Sequence, residues 1–105
     1  MQERDERVPV RMEVAYEEPG RQVFFPSVNL STSGIFLGSK APPSVGEQVR
    51  VVLSLPPDGV FVRMQGRVVR HGGPPEPQGF AVVFRGVDER THEELDEFVR
   101  TCQKA

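Results

Sequence analysis

The 105-residue chain has no tryptophan, a single cysteine and no basic excess. Each shortage excludes something. One thiol, Cys102, cannot close an internal disulfide, so packing and hydrogen bonds must hold the fold, as suits a reducing cytoplasm. Thirteen basic against fifteen acidic residues leave a formal net charge of −2. That balance argues against general DNA or RNA binding, which shows as a positive excess. No apolar run approaches the ~20 residues that span a bilayer. The stretch Met1-Gln2-Glu3-Arg4-Asp5-Glu6 is charged where a signal core would be apolar, so neither membrane insertion nor export is expected. There is also no Ser/His/Asp grouping, no phosphate-binding P-loop and no His/Cys spacing suited to a metal. Neither an enzyme nor a cofactor is expected, and a cytoplasmic location is.

What is present is turn chemistry and alternation. Ten prolines and ten glycines separate short apolar stretches, and the length suits one domain with one modest core. Val8, Val10, Met12, Val14 and Tyr16 alternate with Pro9, Arg11, Glu13 and Ala15, the period of a half-buried strand that leaves Arg11 facing out. Pro9 restricts its start to an edge or strand entrance. Pro19-Gly20 suits a type II turn into a second strand over 22–28, and 34–38 reads as a third. Val49, Val51, Leu53 and Leu55 mark a fourth. After the Pro56-Pro57-Asp58-Gly59 turn, Val60, Val62, Met64, Gly66 and Val68 form the inward face of a fifth. A proline-rich connection over 71–77 leads to a sixth, 79–84, apolar enough to be covered on both sides. The period then changes. Leu95, Phe98, Val99 and Cys102 stand at helical spacing, and Asp88 is a fitting N-cap for a helix over 88–103. Six short strands and one terminal helix predict an all-β barrel or sandwich.

The chemistry is concentrated at Asn29-Leu30-Ser31-Thr32-Ser33-Gly34, a polar corner between two strands. Asn and Ser there can bond outward, and Gly34 can take a positive φ or admit a close approach. The arm over 1–11 supplies Arg4, Arg7 and Arg11. Arginine binds phosphate and guanine edges through a planar fork of donors, so arm and corner together would suit an anionic purine nucleotide. Other features carry less. Asn29-Leu30-Ser31 is also a glycosylation sequon, without an export signal to use it. Arg63, Arg67 and Arg70 read as solvated outward residues, His71 and His92 as surface histidines, and Cys102 as a packed small residue.

The ordered set of elements resembles the PilZ domain family, a six-stranded antiparallel β-barrel with a C-terminal helix that in many members binds cyclic di-GMP. The family's motifs are RxxxR in the arm and D/N-x-S-x-x-G on the barrel. Asn29 to Gly34 matches the second at every specified position, and Gly66-Arg67-Val68-Val69 and Gly79-Phe80-Ala81-Val82-Val83-Phe84 extend the likeness. The first motif has two registers. Arg7 and Arg11 fit the spacing literally. Aligned on the strand entrance Val8-Pro9-Val10, Arg7 is the second arginine, Glu3 stands at the first, and Arg4 is one position away. The resemblance implies cyclic di-GMP as ligand, bound by Arg4, Arg7, Arg11, Asn29, Ser31 and Gly34, and a protein partner that receives the signal. The alternative is a degenerate PilZ-like adaptor in motility, polarity or surface-polymer control that has lost the nucleotide. The acidic interruption by Glu3, Asp5 and Glu6 favours that second reading.

Overall fold

Alternating apolar residues build the wall of the molecule, and the turns between them set its order. The computed structural model describes residues 6–104. Its elements are β1 (Val8–Pro9), β2 (Glu13–Glu18), β3 (Arg21–Leu30), β4 (Gly34–Gly38), β5 (Gln48–Leu55), β6 (Val60–His71), β7 (Gly79–Arg85) and α1 (Glu89–Lys104). Strands β2 to β7 form a closed antiparallel barrel, running β3-β2-β5-β6-β7-β4 around the wall, with β4 pairing back onto β3. The two-residue β1 lies outside this ring and pairs with the end of β3, Val8 with Leu30 and Pro9 with Asn29.

The core fills from the inward residues of every strand. Val14, Tyr16, Leu37, Val51, Leu53, Phe80 and Val82 are buried, each such side chain contributing about 1.5–3 kcal/mol by leaving water. Tyr16, Phe25 and Phe80 meet edge to face with centroids 5.1–5.7 Å apart, the geometry their ring quadrupoles favour. The Tyr16 hydroxyl donates to Glu47, which satisfies the one polar atom this ring takes inside. Burial first, then that carboxylate, pushes the Tyr16 hydroxyl well above the ordinary phenol range. Helix α1 buries Leu95, Phe98 and Val99, with Cys102 packed against the same cluster. Burial pushes the Cys102 thiol up, disfavouring its thiolate form. Asp88 caps the helix, accepting from the Thr91 N–H at 2.8 Å.

Three expectations need correction. The first strand does not run from Val8 to Tyr16. It breaks after Pro9, because the buried Ser27 hydroxyl donates to the Val10 carbonyl at 2.5 Å and accepts from the Met12 N–H at 2.9 Å. Arg11 therefore sits at a break stitched to β3, outside the ladder. Strand β3 extends to Leu30, so Asn29 belongs to a strand end rather than to the turn. Finally, β7 is not covered on both sides, since Val83 is exposed, as is Val60 at the start of β6.

Gly34 has no positive φ, in contrast to Gly20 at +82° in the β2–β3 turn. Its requirement is space. A Cβ there would lie 2.6 Å from the Val82 carbonyl oxygen, so what approaches Gly34 closely is the backbone of β7. Gly34→Ala should destabilise the barrel by about 1–3 kcal/mol through overpacking. Gly73→Ala, where a Cβ meets nothing within 4 Å, should stay within about 0.5 kcal/mol. Urea unfolding of the two variants checks this, and equal midpoints would contradict it.

Candidate functional site

The corner between β3 and β4 is shaped by one hydroxyl. Ser31 is fully buried, and its Oγ accepts from the N–H groups of Ser33 and Gly34, both at 3.2 Å. The Ser31 N–H closes the same turn onto the Gly34 carbonyl at 2.9 Å. The expectation that Ser31 bonds outward is therefore corrected, because its hydroxyl is engaged by the turn. Asn29 behaves differently. Ser27 pairs with Leu37 and Asn29 with Phe36, leaving Val28 as an extra residue in β3. Such a bulge bends the strand and re-aims the side chains beyond it.

At that strand end Asn29 meets the arm. Arg7 Nη1 donates to Asn29 Oδ1 at 2.8 Å on the exposed surface, and the Pro9–Asn29 pairing holds the two chain segments side by side. Two motif halves 22 residues apart are thus joined. Arg11 is not part of that contact. It lines an adjacent depression of about 520 Å³ with Val10, Pro26, Ser27, Val28 and Pro77. Arg4 and Glu3 lie outside the described residues.

Sequence reasoning missed a second set of charges at this corner. Arg70, expected to be simply solvated, forms a two-pronged pair with Glu76 at 2.7 and 2.8 Å. Its guanidinium stands 5.5 Å from the centroid of Phe36, the residue that pairs with Asn29. At an exposed site such a cation–π contact contributes about 0.5–1 kcal/mol. The Arg70 hydrogen bonds, helped by the charges of Arg70 and Arg7, hold the Glu76 carboxyl below the usual carboxylate range. The end of β6 therefore supplies one further arginine, and the loop after it one acid, at this corner. The only sequence signal was a pair of opposite charges across Gly72-Gly73-Pro74-Pro75, too common a pattern to be read alone. Ser27 was also missed, because a serine inside a strand gives no sign that its hydroxyl clamps another segment.

The model of the PilZ domain family matches residues 2–101. The chain belongs to the PilZ family. Among solved structures, this PilZ domain is similar to one described as "Structure of Bacillus subtilis Inhibitor of motility (MotI/DgrA)", with a TM-score of 0.77 and 16% identity. That alignment covers 99% of this chain and 50% of the other, so the chain spans half the length of that structure. At this identity the likeness shows the shared barrel and helix. No curated protein matches the sequence.

The two polar motif residues of this PilZ domain should separate by experiment. Ser31→Ala leaves the N–H groups of Ser33 and Gly34 without their acceptor and should cost about 1–3 kcal/mol of stability. Asn29→Ala, made at the surface, should change stability by no more than about 0.5 kcal/mol. Thermal melts of both variants test the division, and a larger loss for Asn29→Ala would reverse it.

Proposed function

We propose that this PilZ domain is a non-enzymatic receptor for cyclic di-GMP that passes the signal to a protein partner in the cytoplasm. The observation that carries the reading is the 2.8 Å bond between Arg7 and Asn29. It brings a guanidinium, whose fork suits phosphate oxygens and the O6/N7 edge of guanine, against an amide that can donate to and accept from a base. Arg11 borders the depression beside them, whose 520 Å³ falls in the range of roughly 300–1,000 Å³ common for small-ligand sites. In this reading Arg7 and Arg11 engage phosphates and guanine edges, with Arg4 joining from the arm. Asn29 reads a base, while Ser31 and Gly34 act by fixing the corner on which it stands. Ligand seated across the arm and the corner would change the surface shown to the partner. That the similar solved structure is described as an inhibitor of motility supports motility control as the process.

One observation favours the second reading, a PilZ-type adaptor without nucleotide. Glu76 already sets a carboxylate against Arg70 and within the field of Arg7, where a doubly charged ligand would have to compete with it. Isothermal titration with cyclic di-GMP separates the two. The receptor reading expects saturable heat, and Arg7→Ala should weaken binding about ten- to a hundredfold, the loss of about 1.5–3 kcal/mol for a charge-assisted hydrogen bond. No heat at protein concentrations on the order of tens of micromolar would overturn it and leave the adaptor.

A further inference from the structure

Strands β5, β6 and β7 carry Arg50, Arg63, Arg67, Arg70 and Arg85 and no Asp or Glu. In a chain of net charge −2, that segregation leaves these three strands with no acid of their own. Pairing across the ladders sets the outward residues in rows. Gln65 faces Arg50 on one side and Arg85 on the other, and Gln48 faces Arg67 in the next row. All five arginine side chains are exposed. Arg50, Arg67 and Arg85 line a groove of about 580 Å³ that shares no residue with the Arg7–Asn29 corner or the depression beside Arg11.

The two acids at the rim of this groove are engaged by their neighbours. Glu18 pairs with Arg21, and Glu17 accepts from Gln22 at 3.0 Å, with Arg50 at 3.9 Å. Among the described residues no carboxylate comes within 4.0 Å of Arg67 or Arg85. Arg67 faces Gln48 and Val83 and Arg85 faces Gln65, so neither guanidinium has an opposite charge across the ladder and both are free to engage an anion. The donor set indicates which anion. Guanidinium forks match phosphate oxygens. Gln48 and Gln65 each present a donor and an acceptor, and the rim carboxylates accept from hydroxyls. None of the lining residues is aromatic, so a nucleobase would find no ring to stack on.

We propose that the outer face of β5–β7 is a second binding site, for a phosphorylated sugar or polyol, with Arg67 and Arg85 on the phosphate groups and Gln48 and Gln65 on the hydroxyls. The site is independent of cyclic di-GMP and stands whether or not that ligand binds. Fructose 1,6-bisphosphate is a suitable probe, read by ¹H–¹⁵N NMR of the arginine Nε–H and glutamine amide groups, with fructose and inorganic phosphate as separate arms. The expected result is saturable shifts at Gln48, Gln65, Arg67 and Arg85 with a Kd below about 1 mM. Binding should weaken at least tenfold in the Arg67→Gln/Arg85→Gln variant, whose outward substitutions should leave the melting temperature unchanged. Absence of saturable shifts, or equal binding by the double variant, overturns the site. Equal affinity for inorganic phosphate overturns the sugar or polyol assignment, and shifts confined to Arg7 and Arg70 assign the anion to the corner instead.

Discussion

Barrel closure depends on one corner, where β4 must pair with β3 on one edge and with β7 on the other. Two features make that possible. Ser31 gathers the N–H groups of Ser33 and Gly34 onto a single buried hydroxyl, which reverses the chain in three residues. Gly34 lacks the Cβ that would collide with the Val82 carbonyl. Both features serve the pairing of β4 on its two edges, which leaves the six-stranded ring without an unpaired edge.

The candidate site is built on top of that closure. Because Ser31 ties the corner with hydrogen bonds, the end of β3 is a defined platform, and the bulge at Val28 re-aims Asn29. What lies alongside is the arm, held by the two-residue β1 ladder and by the Ser27 clamp on Val10 and Met12. Arg7 therefore reaches Asn29 from a tethered backbone, a form of preorganisation that lowers the cost of ordering a ligand contact. The end of β6 and the loop after it add the Arg70–Glu76 pair, with Arg70 over Phe36, so the corner holds arginines and an acid whose balance any anionic ligand must shift. The PilZ motifs divide accordingly: Ser31 and Gly34 maintain the fold, and Asn29 and Arg7 face outward.

Much of this was legible in the sequence, for reasons that differ by element. Strands β5 and β6 alternate over most of their length and end at Pro/Gly turns, and the α1 stripe of Leu95, Phe98, Val99 and Cys102 has a clear period, so local pattern located them. Their order left barrel or sandwich open, and the six-stranded ring came from the resemblance to the PilZ family. The break between β1 and β2 was not legible, since Val8 to Tyr16 alternates without a flaw and the interruption comes from Ser27 on another strand. Nor was the inward turn of Ser31, because a motif specifies residue types and leaves the direction of a hydroxyl to three-dimensional packing. Arg7 and Arg11 illustrate the same limit. Spacing treats them as a pair, while the ladder with β3 brings only Arg7 to Asn29. The acid-free composition of β5 to β7 was visible in the sequence, but its rows of side chains required the register.

The central claim is that the arm and the corner form one anion-binding site. A double-mutant cycle on cyclic di-GMP affinity tests it most directly, using Arg7→Ala, Asn29→Ala and the two combined. Residues acting on the same bound ligand through a shared contact should couple by about 1 kcal/mol or more. Strictly additive losses, or no loss in either single variant, would contradict a joint site and reduce the Arg7–Asn29 contact to a structural tether.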